Sequence, residues 1–173
     1  MENCIDETID GYNEFVKTCN PDDYMSLCLF SDKITVVYDK KKVCDIVPLT
    51  RQVYRPAGST ALLDAIGKTI YTAESSTKPP TIIIFTDGFE NSSKFFTHKA
   101  IRSLIDTKKQ FGWKFVYLGA NQDAIQVAEQ FGIEEEQSLT FSTQNIKETF
   151  RSMTSGMTRG YFSQEERIKS NPI

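Results

Sequence analysis

The stretch Thr81 to Asn91, TIIIFTDGFEN, constrains this chain more than any other. Four β-branched residues in a row, followed by Phe85, read as a strand buried on both faces, as in the middle of a parallel sheet. Thr86-Asp87-Gly88 then stops it abruptly. A carboxylate therefore stands at the carboxyl end of a central strand, the edge where open α/β sheets bind their ligands. Asp87 is the first candidate functional residue, although Asp-Gly is also an ordinary turn pair.

The flanking chain alternates helix and strand. Ile5, Ile9, Tyr12, Val16 and Cys19 recur at helical spacing, with Glu2, Asp6 and Glu7 at the end the helix dipole favours, and Asn20-Pro21 closes the helix. Tyr24 to Ser31 and Ile34 to Tyr38 predict strands, with Lys40 to Lys42 a solvated turn and Val43 to Leu49 continuing an edge hairpin. Pro56 to Thr60 is a loop that hands over to a helix bearing Leu62, Leu63, Ile66, Ile70 and Ala73, capped by Ser59 or Thr60. After Asp87 come a helix marked by Phe96, Ala100, Leu104 and Ile105, then the strand Trp113 to Leu118. Gly119 to Asp123 turns into a helix with inner face Ile125, Ala128 and Phe131. Ser138 to Ser142 predicts a short strand, and Ile146, Phe150, Met153, Met157 and Tyr161 a last helical stripe. Residues 163–173 are polar and expected to fray. The pattern predicts one α/β domain over residues 1–162, a mostly parallel sheet sandwiched by helices with one antiparallel edge.

Charge and composition exclude several classes. A net charge of -3 over 173 residues disfavours nucleic acid or an anionic membrane as partner. No stretch reaches the roughly 18 apolar residues of a membrane span, and the start is acidic rather than basic as in a signal peptide. Cys4, Cys19, Cys28 and Cys44 lack CxxC spacing and read as reduced, buried thiols of a cytoplasmic protein.

Three loops fall on one predicted edge: Ser31-Asp32, Ser59-Thr60, and Asp87 with Asn91. Hydroxyls and carboxylates are hard oxygen ligands suited to Mg²⁺ or Mn²⁺. Gly67-Lys68-Thr69 looks like the tail of a phosphate loop, but Leu62 stands where that motif needs glycine. His98, the one histidine, has no nucleophile partner and reads as a surface residue.

Taken together, GSTALLDAIG at Gly58 to Gly67 and IIIFTDGFEN at Ile82 to Asn91 resemble the von Willebrand factor A domain, with element order agreeing from Ile5 to about Tyr161. GWKFVYLGANQDA at Gly112 to Ala124 is similar to the intracellular, microbial and viral branch. The resemblance implies a Rossmann-like three-layer sandwich whose top edge holds a metal-ion-dependent adhesion site. There Asp-x-Ser-x-Ser, a threonine and an aspartate hold the ion, and a partner protein's Asp or Glu completes the shell. Thr60 matches the threonine and Asp87 the aspartate; the Asp-x-Ser-x-Ser loop and the strand before it have no counterpart.

By the family's order the absent strand is central, between Tyr24 to Ser31 and Ile82 to Asp87, and Met1 matches the residue just after the missing motif. The expectation is a start assigned too late or a strand lost. Three or four buried aliphatics at about 1.5 to 3 kcal/mol each are worth about 5 to 12 kcal/mol, comparable to a domain's whole stability. The expected function is a non-catalytic protein-interaction module with a partial Mg²⁺ or Mn²⁺ site at Thr60 and Asp87. The alternatives are a metal-assisted phosphoryl transferase or hydrolase with Asp87 at the switch point, or a decayed structural paralogue.

Overall fold

The computed structural model describes residues 4–56, 58–120 and 123–171. Met1, Glu2, Ala57, Asn121 and Gln122, each named in an expectation above, lie outside the described residues.

Periodicity correctly placed the main helices. α1 (Ile5–Thr18) carries Asp6 and Glu7 in its first turn, and buries Ile9, Phe15 and Val16. α2 (Leu62–Ala73) is buried along most of its length, from Leu62 through Gly67 and again at Ile70. α3 (His98–Gln110) begins two residues later than the apolar pattern suggests, because Thr97 caps it by accepting from Ala100 N at 3.2 Å. α4 (Ala124–Gln130) turns Ala124 and Ala128 inward with Phe131, whereas Ile125 is only half-buried. α5 (Ile146–Arg159) buries Ile146, Phe150 and Met153.

The strands form two hydrogen-bonded sheets among the described residues. β1 (Tyr24–Phe30) and β2 (Ile34–Lys42) pair antiparallel; β3 (Thr81–Thr86), β4 (Lys114–Ala120) and β5 (Ser138–Phe141) pair parallel in that order. Helices cover both faces of the parallel sheet. On one face Ile82 and Ile84 of β3 and Phe115 and Tyr117 of β4 meet α2, α3 and α4. On the other, Val116 and Leu118 with Leu139 and Phe141 meet α1 and α5, and Phe85 stacks on Phe141 and Phe150 with ring centroids 4.7 and 5.1 Å apart. Alternation along a pleated strand sends neighbours to opposite faces, so two cores form around one sheet.

Several expectations fail. Lys40 to Lys42 is not a turn but the end of β2; a register shift opposite Met25 and Leu27 and a left-handed Lys40 (φ 45°) absorb the distortion. Val43 to Leu49 is correspondingly a 3₁₀ turn at Val43–Asp45 and irregular chain, not a strand. The polar segment after Ser163 is helical rather than frayed over residues 164–170. It forms α6 (Gln164–Ser170) behind a capping box, in which Ser163 and Glu166 satisfy each other's backbone N–H groups, and Ser142 N donates to Ser170 O at 2.9 Å. The four cysteines are free, yet only Cys4 is buried and Cys44 is exposed.

Candidate functional site

The three loops singled out in the sequence meet at one edge. Ala61 N, just before α2, donates to Ser31 O at 2.8 Å, and Ser31 follows the last residue of β1. Thr60 and Asn91 are joined twice: Thr60 N donates to Asn91 Oδ1 at 2.8 Å, and Asn91 N to Thr60 O at 3.0 Å. Thr60 Oγ1 lies so close to Gly88 that a Cβ built there would overlap it. Asp87, half-buried at the end of β3, is the residue before that contact. Thr86 Oγ1 closes the turn by accepting from Gly88 N at 3.2 Å. Thr60 and the Asp87-Gly88 turn therefore share one edge, and Asp32 lies one residue beyond Ser31.

Neither Ser59 nor Thr60 caps α2. The helix has Ala61 at its N-cap with no side-chain cap, and its first amides are taken by the loop after β3. Leu63 N donates to Glu90 Oε2 at 3.0 Å and Asp64 N to Ser93 Oγ at 3.1 Å. The same Glu90 carboxylate accepts from Ser92 N, Ser93 N and Ser93 Oγ. In return Asp64, in the first turn of α2, accepts from the N–H groups of Lys94, Phe95 and Phe96 at 2.8 to 3.0 Å. Two carboxylates thus clamp the loop and the helix to each other. Burial pushes the Asp64 carboxyl up, but the three amides outweigh it and hold the group below its ordinary value. Glu90 is likewise raised by burial and brought lower overall by the Leu63, Ser93 and Ser92 donors. These acids went unnoticed in the sequence, where Asp64 passes for a first-turn residue and Glu90 for part of a turn. An acid in a first turn facing a Ser-Ser loop was the available signal.

The acids at this edge therefore divide by role. Asp64 and Glu90 hold backbone, whereas Asp87 and Asp32 stand at the loop tips, Asp32 accepting from Ser31 Oγ at 3.1 Å. Among the described residues no three His, Cys, Asp or Glu side chains gather into a metal-holding group. The hydroxyl of Thr60 and the carboxylate of Asp87 match a hard divalent ion in kind, and would supply only part of its shell in number. A groove of about 590 Å³ lies elsewhere, between α1 and the segment after β2, lined by residues such as Asn13, Lys17, Cys19 and Cys44.

The other candidates resolve as packing. Gly67 sits inside α2 because the Phe96 ring lies against it, where a Cβ would come within 2.6 Å, so Gly67-Lys68-Thr69 is no phosphate loop. His98 is exposed and stacks on Phe131 with centroids 5.7 Å apart. No helix of the described residues is long and apolar enough to cross a membrane.

No family model matches this chain, and no curated protein matches it. Similar solved structures include proximal thread matrix protein 1 (PTMP1) from the mussel byssus, at 15% identity and a TM-score of 0.62, over 88% of this chain and 40% of that one. A second crystal form of the same protein aligns at 15% identity and a TM-score of 0.58, over 84% and 38%. The chain thus spans well under half the length of the structures it matches, and at this identity the likeness shows the α/β fold alone.

Proposed function

We propose that this chain is a cytoplasmic, non-catalytic protein-interaction module of von Willebrand factor A type, whose sheet edge carries part of a metal-ion-dependent adhesion site. In that reading β2, β1, an open place, β3, β4 and β5 make one Rossmann-like sheet. The Thr60 hydroxyl and the Asp87 carboxylate hold Mg²⁺ or Mn²⁺, with waters and a partner's Asp or Glu in the remaining positions. When bound, the ion supplies the positive charge that draws the partner carboxylate. The residues of this chain do the rest: the Thr60–Asn91 pair and the Glu90–Asp64 clamp fix the two loops, so the ligands are held before the ion arrives.

The observation that carries the reading is the seating of Thr60 Oγ1 against Gly88, next to Asp87, from two loops 27 residues apart in a motif pair of the family's spacing. A titration calorimetry series with Mn²⁺ and Mg²⁺ tests it. The native chain is expected to take up Mn²⁺ weakly and saturably, Thr60→Ala to weaken uptake, and Asp87→Ala to abolish it. An Asp87→Ala chain that titrates like the native one would remove the site. Metal-dependent turnover of a phosphate ester that vanishes in Asp87→Ala would replace the module with an enzyme.

A further inference from the structure

The loop after β3 treats two neighbouring phenylalanines in opposite ways. The N–H groups of Lys94, Phe95 and Phe96 all donate to the Asp64 carboxylate at 2.8 to 3.0 Å, so the backbone around Phe95 is fixed to the first turn of α2. Phe96 packs its ring against Gly67, where a Cβ would come within 2.6 Å, with the Tyr71 ring centroid 6.0 Å away. Phe95 is left 85% exposed, more than any other large hydrophobic side chain among the described residues, and Tyr71 is exposed beside the pair.

Single exposed aromatics are ordinary on protein surfaces. Two observations set this one apart. The first is its anchorage: a buried carboxylate holds the backbone, and the place beside Gly67 is already taken by Phe96, so Phe95 is presented from a fixed frame. The second is charge. From Asn91 to Ile105 the chain carries Lys94, Lys99 and Arg102 and no Asp or Glu, in a protein of net charge -3. Arg102 is engaged by Asp106 at 3.8 Å and by the Glu129 carbonyl at 2.7 Å. Lys94 and Lys99 are exposed and form no ion pair among the described residues. The nearby acids are already used: Asp64, whose charge reaches Lys94, has its oxygens on the three amides, and Glu74, three residues past Tyr71, pairs with Lys108 at 2.6 Å.

We propose that Phe95, Tyr71, Lys94 and Lys99 form a docking surface for an acidic segment of another protein, one that offers a phenylalanine or comparable apolar side chain between its carboxylates. The aromatic pair specifies the apolar anchor, because removing the Phe95 ring from water is what favours association there. The two unpaired lysines specify carboxylates beside that anchor. Electrostatic anchoring to an anionic membrane takes clusters of about four to eight cations, and two lysines on a chain of net charge -3 fall short of it. The surface needs no metal ion and does not rest on the reading of Thr60 and Asp87, so its test is run in EDTA and the two can fail separately.

The probe is a labelled synthetic peptide with one phenylalanine flanked by three glutamates on each side. Its binding to the full chain is read by fluorescence anisotropy and by amide chemical shifts. Saturable binding is expected, with shifts centred on residues 94–99 and Tyr71. Phe95→Ser is expected to weaken it roughly 10- to 100-fold, as loss of one buried phenylalanine does. Lys94→Glu combined with Lys99→Glu is expected to weaken it about tenfold at low salt, and far less in about 1 M salt, where the Debye length is about 3 Å. All three side chains are exposed, so these variants should melt like the native chain, which separates lost docking from lost fold. No binding by the native chain, or equal binding by Phe95→Ser, would overturn the proposal. So would capture of phosphatidylserine vesicles, without peptide binding, by the native chain and not by Phe95→Ser, which would assign the surface to a membrane. Dimerisation of the peptide-free chain that Phe95→Ser abolishes would overturn it in favour of a second copy.

Discussion

At the scale of residues, the contact between Thr60 and Gly88 is the most consequential one at the edge. Glycine is required at 88 by proximity rather than by a left-handed backbone, because the space a Cβ would need is held by Thr60 Oγ1. Gly88→Ala is therefore expected to cost about 1 to 3 kcal/mol in urea denaturation, as forced overpacking does. In a Thr60→Ala background most of that cost should disappear, since the next atom, Thr60 Cβ, stands at 3.4 Å from the built Cβ. A coupling energy near zero in this double-mutant cycle would mean that the two residues do not meet. Asp64 is the second residue of weight, 6% exposed and accepting three backbone amides. Asp64→Ala should cost about 2 to 4 kcal/mol, because its partners lose a charged acceptor where part of the surroundings is dry. That Thr60 and the Asp87-Gly88 turn would come to one edge was legible in the sequence through the order of loops and strands. The pairing of Asp64 with the amides of Lys94 to Phe96 was not, because nothing local to position 64 tells which loop lands on it.

Among the elements, the loop after β3 and the start of α2 behave as one unit with a defined acid response. The ordinary values are 3.8 for Asp64 and 4.5 for Glu90, and the folded protein holds both carboxyls below them. As pH falls the unfolded chain takes up these protons first, so the stabilisation is complete above about pH 5 and is lost as pH drops through the lowered folded values. The urea midpoint is expected to fall between pH 6 and pH 3, with amide exchange rising first in residues 90–96 and at Leu63 and Asp64. Asp64→Asn should show a shallower fall, and an Asp64→Asn profile parallel to the native one would remove the clamp from the account. Element boundaries were legible where periodicity and burial agree, as in α1, α2 and β3. They were not where a long-range contact overrides local chemistry. Lys40 stays in β2 through a left-handed turn of its own backbone, with Lys40 N donating to Ser26 Oγ at 2.9 Å. α6 looked like a tail because its residues are polar, although Ser163 and Glu166 three residues on already spelled a helix start.

For the whole molecule, the sequence correctly predicted a helix-covered parallel sheet with an antiparallel hairpin, because Ile82 to Phe85 and Phe115 to Leu118 carry the continuous apolar signal of strands covered on both faces. That β1 and β2 form a sheet separate from β3, β4 and β5 was not legible, since no local pattern in Tyr24 to Phe30 tells which strands it pairs with. β1 and β3 bring their carboxyl ends to the edge where Thr60 and Asp87 stand. The central claim is that this edge holds a divalent ion through those two residues. Paramagnetic broadening of assigned amide signals by substoichiometric Mn²⁺ tests it most directly. The account predicts that broadening begins at Thr60 and Gly88 and fades outward along β3 and α2. Broadening centred on the acidic run Glu134 to Glu136, or spread evenly over the exposed carboxylates, would contradict it.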